Sequence, residues 1–112
     1  MDISVRQSGG FTILDAKGKI TIGAGDVALR EAIHGALDAG AQRILVNLKD
    51  VTTIDSSGIG ELVSAYTSAS NRGAKLALIS LPPKVQDILQ ITQLVTVFDI
   101  YEDEAEALAS VV

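Results

Sequence analysis

Between residues 43 and 66 the hydrophobic pattern changes its period, and this change constrains the fold more than any other feature of the chain. Arg43-Ile44-Leu45-Val46-Asn47-Leu48 is a short β-branched run of the kind a parallel strand shows when both its faces are covered. Downstream, Ile59, Leu62, Val63 and Tyr66 recur at helical spacing. Val51-Thr52-Thr53-Ile54-Asp55-Ser56-Ser57-Gly58-Ile59-Gly60 joins the two, polar and glycine-bearing, and is the candidate site. Ser56 and Ser57 are thereby placed at a strand-to-helix turn. The first helical N–H groups lack partners there and the helix dipole is positive, which suits a side-chain oxygen or a phosphoryl group added to one.

The rest of the chain repeats the alternation of strand and helix. Ile3-Ser4-Val5-Arg6-Gln7 and Phe11-Thr12-Ile13-Leu14-Asp15-Ala16 flank Gly9-Gly10 and read as a hairpin. Residues 18–25, Gly-Lys-Ile-Thr-Ile-Gly-Ala-Gly, have neither the Gly-Lys-Ser/Thr ending of a phosphate loop nor the context of a dinucleotide fingerprint, and read as a flexible loop. Over residues 26–39, Leu29, Ala32, Ile33, Ala36 and Leu37 form one stripe opposite Arg30, His34 and Asp38, which predicts a surface helix ended by Gly40. His34, flanked at spacing four by Arg30 and Asp38, reads as solvated or salt-bridged rather than catalytic.

The helix after the junction is expected over residues 57–72, with Gly73 as its stop. Its second face carries Ser57, Gly60, Glu61, Ser64 and Ser68, mostly small side chains that a partner could approach closely. Ser57 is expected to cap this helix or to lie in its first turn. Residues 75–80 predict another buried strand, Leu81-Pro82-Pro83 opens a third helix with Val85, Ile88 and Leu89 inward, residues 95–101 a last strand, and residues 102–110 a final helix. The expected fold is one α/β domain over residues 1–112, with a mixed, mostly parallel central sheet, an N-terminal antiparallel hairpin and about four helices.

Composition removes several functional classes. A net charge of −5 without a Lys/Arg cluster argues against nucleic acid. The chain has no cysteine, so disulfides, thiolate metal sites and cysteine nucleophiles are absent. No apolar run approaches the roughly 18 residues of a membrane span and the first ten residues do not read as a secretory signal, so the expectation is a cytoplasmic protein without membrane insertion. Ser56 lies in Asp-Ser-Ser-Gly rather than a Gly-x-Ser-x-Gly elbow, and the one histidine sits on a solvent-facing helix, which argues against a serine hydrolase. Asp55 lacks the acidic pair and late lysine of a phospho-receiver. Neither a catalytic residue nor a metal or cofactor is expected.

Asp55-Ser56-Ser57-Gly58-Ile59-Gly60, with the strand ending at Leu48 before it and Gly73, Leu81-Pro82-Pro83 and Phe98-Asp99-Ile100-Tyr101 after it, resembles the STAS family of anti-sigma factor antagonists over nearly the whole chain. The resemblance implies that Ser56 is phosphorylated by a partner that is both anti-sigma factor and serine kinase, with a serine phosphatase restoring it. The unmodified protein would capture that partner and free a sigma factor. The partner surface so implied comprises Thr21, Asp55, Ser56, Ser57, Gly58, Gly60, Glu61 and Ser64. Similar proteins carry Gly-Glu-Leu-Asp where this chain has Gly18-Lys19-Ile20-Thr21, so Thr21 stands in an acidic position. STAS domains also serve as scaffolds of stress-signalling assemblies and as small subunits of lipid-transport complexes, the alternative that the resemblance leaves open.

Overall fold

The computed structural model describes residues 1–110. β1 (Asp2–Ser8) and β2 (Phe11–Ile20) form the expected hairpin, and α1 (Ala24–Asp38), β3 (Arg43–Ile54), α2 (Ser56–Asn71), β4 (Lys75–Ile79), α3 (Pro83–Ile91), β5 (Asp99–Tyr101) and α4 (Glu104–Ala109) follow. The sheet order is β1-β2-β3-β4-β5, antiparallel between β1 and β2 and parallel thereafter.

Alternation along β3 and β4 splits the core in two. Ile44, Val46 and Leu48 with Leu76 and Leu78 face one side, where they meet Leu29 and Ile33 of α1, Leu62 and Ala65 of α2, and Val85 and Leu89 of α3. Leu45, Ala77 and Ile79 face the other side with Phe11 and Ile13, and α4 covers them through Ala107 and Leu108. Ile44–Val46 of β3 and Leu76–Ile79 of β4 are continuously hydrophobic because both faces are covered there. α4 is also held by charge: Arg6 bonds both Asp15 and Glu104, keeping the two carboxyls below their ordinary range.

Four expectations need correction. Residues 18–20 are not loop but the end of β2, because Ile20 is fully buried and pairs with Ile54; Gly18 takes φ +110° where the register shifts. Thus β3 does not stop at Leu48. Val51, Thr53 and Ile54 extend the ladder, and the connection from β2 to α1 shrinks to residues 21–23. Residues 95–101 do not form one strand: a 3₁₀ turn, Leu94–Thr96, precedes a three-residue β5. Phe98 turns into the core against Tyr66, edge to face at 5.7 Å, which breaks the alternation a strand would need. The final helix is shorter than expected, since Asp103 is its cap and accepts from the Glu106 N–H.

Candidate functional site

Asp55 is the single residue between β3 and α2, and it joins three chain segments. Its N–H donates to the Ile20 carbonyl at 3.3 Å, beyond the last β2–β3 pair. Its carboxylate accepts from the Gly58 N–H through Oδ1 and from the Ile22 N–H through Oδ2, each at 3.0 Å. The first bond caps α2 and the second fastens the β2–α1 connection to it. Ser57 is therefore not the cap: Asp55 has the extended backbone of a cap residue, whereas Ser57 already lies in the first helical turn.

These donors hold the Asp55 carboxyl below the ordinary aspartate range, the Gly58 N–H contributing most and the Ile22 N–H next. A depressed folded pKa means that the ionised form stabilises the fold above the unfolded value of about 3.9 and that this contribution fades as pH falls through the folded pKa. Asp55→Ala is expected to melt lower than wild type at neutral pH, with the gap narrowing toward pH 3. Thermal melts across that range check it, and a gap constant with pH would contradict the ionised cap.

Ser56 is the first residue of α2 and is exposed; Gly60 and Ser64 follow at helical spacing and are exposed as well. Thr21 is half-buried, and its carbonyl accepts the Asp26 N–H at 3.0 Å, which starts α1. Two other residues of the expected surface do not face outward freely. Gly58 is buried because α2 presses on the end of β2: a Cβ there would stand 2.2 Å from the Ile20 carbonyl oxygen. Glu61 turns toward α1, where Arg30 binds it through Nη2 at 2.7 Å and Nε at 3.0 Å. Similarly, Asp38 pairs with Arg72, which caps the C-terminus of α2, so Arg30 and Asp38 reach across to the second helix rather than pairing with His34.

Sequence reasoning missed one feature beside Ser56. Ile54, Ile59, Ile88 and Thr92 line an open, mainly apolar groove of about 320 Å³, with Asp55 and Ser56 at its margin. Ile22, 75% exposed, and Ile91, 81% exposed, add apolar surface on the segments flanking α2. The available signal was that both isoleucines fall outside the inward stripes of their segments.

The STAS domain family model matches residues 2–107. The TM1081 homolog of Thermotoga neapolitana, designated an anti-sigma factor antagonist, is 39% identical over 75 residues, covering 67% of this chain and 66% of that relative, just under two thirds of its length. The anti-sigma F factor antagonist of Paenibacillus polymyxa is 23% identical over 108 residues, 96% of this chain and 92% of that protein. Among solved structures, TM1081 of Thermotoga maritima superposes with a TM-score of 0.89 at 27% identity, covering 97% of this chain and 93% of the other. The family match over nearly the whole chain and the superposition on TM1081 agree with each other: the chain belongs to the STAS domain family, and the relatives it matches there are named anti-sigma factor antagonists.

Proposed function

We propose that this protein captures an anti-sigma factor with serine kinase activity through the surface around Ser56, and that phosphorylation of Ser56 ends the capture. The observation that carries the reading is the division of labour at the junction: Asp55 takes up the Gly58 and Ile22 N–H groups, while Ser56 stands exposed at the helix start. Asp55 has a structural task, so its neighbour's hydroxyl is available for modification without loss of the cap. Thr21, Ser56, Gly60 and Ser64 supply the small-residue contact surface, and the apolar groove supplies buried area.

A phosphoserine at residue 56 carries about −1.5 to −2 charges and three acceptor oxygens. The Gly58 N–H is already taken by Asp55, whose own charge lies next to the new one, so much of the phosphate's hydration must be kept on the outer surface. Glu61 adds little repulsion because Arg30 neutralises it. Docking over the groove would strip water from the phosphate beside apolar walls, which is unfavourable. Reaction with the cognate kinase followed by phosphopeptide mapping is expected to label Ser56; label on Ser57 alone would overturn the assignment. A serine phosphatase reverses the state in this scheme.

Thr21 favours a second reading, a scaffold or accessory subunit without the switch, because it removes the acidic group from the β2–α1 end of the surface. Capture of a small ATPase-type kinase from the native lysate by wild type and its loss with Ser56→Asp separates the two.

A further inference from the structure

On the opposite side of the sheet from Ser56's helix, next to the end of α4, lies a cavity of about 180 Å³. Register builds it. Phe11 of β2 sits beside Arg43 of β3, the pair before Thr12 and Ile44, and Arg43 is the direct partner of Lys75 in β4. These residues share the face of Leu45 and Ala77, since each lies two positions earlier on its strand. The Arg43 guanidinium stands 5.7 Å from the Phe11 ring centroid. Tyr101 and Asp99 of β5 form the far wall, Asp99 two residues further along the register, opposite Ala77.

Two cations directly opposite on neighbouring strands repel each other. Among the described residues neither is in an ion pair; Asp99 shares the cavity without reaching ion-pair distance of Lys75 or Arg43. The core of this face does not depend on the two cations, because Ile13, Leu45 and Ile79 pack against one another further along the strands. An anion placed between Arg43 and Lys75 would relieve the repulsion and gain charge-assisted hydrogen bonds from both. Phe11 and Tyr101 give the cavity two aromatic walls and Ala77 an apolar one, and a cavity of ~150 Å³ is enough for a benzene ring.

We propose that the Arg43–Lys75 cavity binds a small monocarboxylate carrying a flat apolar body, its carboxylate between the two cations and its body between Phe11 and Tyr101. Asp99 on the far wall disfavours a second negative charge, which selects against dicarboxylates and phosphate. The site is separate from Ser56 and independent of the proposed kinase capture.

The test is a titration of the ¹⁵N-labelled full chain with phenylacetate, followed by amide shifts. Saturable shifts are expected at Phe11, Arg43, Lys75 and Tyr101, with Ser56 unmoved. Phenylacetamide, of the same shape and uncharged, and the variants Arg43→Gln and Lys75→Gln are each expected to weaken binding roughly tenfold, the factor for one charge-assisted hydrogen bond. The absence of saturable shifts, equal binding of phenylacetamide, or inorganic phosphate binding as tightly as phenylacetate would overturn the proposal. The comparison of the two ligands on wild type decides the matter even if a variant fails to fold.

Discussion

Gly58→Ala is expected to destabilise the protein by about 3 kcal/mol, the upper end of the usual cost of forcing an extra methyl group into a packed site. The methyl would meet the Ile20 carbonyl oxygen at 2.2 Å, with Ile54 Cγ1 at 2.7 Å and Ile20 Cγ2 at 2.8 Å. A flexible side chain could swing aside, but the carbonyl belongs to the last paired residue of β2 and receives the Asp55 N–H. Relief therefore requires α2 to lift from the sheet, which loosens the Asp55 cap as well. Gly60→Ala is the internal control. It lies on the same helix with open space where the Cβ would go, so it should lose nothing and can gain up to about 1 kcal/mol from helix propensity. Urea unfolding of both variants checks the contrast, and a Gly58→Ala loss below about 0.5 kcal/mol would mean that α2 does not press on β2 as described.

Ser56→Asp is expected to weaken capture of the kinase partner by at least roughly tenfold, while Ser56→Ala retains capture and no longer responds to the kinase. The aspartate should be compatible with the fold, because residue 56 is exposed and a negative charge at a helix start is favourable by about 0.3–1 kcal/mol. A single carboxylate carries less charge than a phosphoryl group and sits closer to the backbone, so the loss should be smaller than that caused by phosphorylation itself. Titration calorimetry against the partner measures the affinities, with thermal melts to confirm folding. Equal affinity of folded Ser56→Asp and wild type would remove the electrostatic switch and favour a constitutive scaffold.

Much of this protein was legible from local pattern. The stripe Leu29, Ile33, Ala36 and Leu37, the run Ile44 to Leu48, and the proline-opened third helix each declare themselves through spacing, because burial of one face imposes a period on nearby residues. Ser56 at a helix start followed from the same change of period. Tertiary contact decided the remainder. The path from Gly18 to Ile20 looks like a loop in isolation and becomes strand only because Ile20 finds Ile54, thirty-four residues away. Gly58 counts as part of the partner surface that the resemblance implies until α2 is laid against the Ile20 carbonyl. Glu61 reads as a surface acid until Arg30 arrives from α1, and the stretch from Val95 reads as a strand until Phe98 meets Tyr66. In every one of these cases the deciding partner is distant in sequence, so that hydrophobic period and turn chemistry could specify which elements form and roughly where, while close approach between elements determined which side chains remain available to a partner.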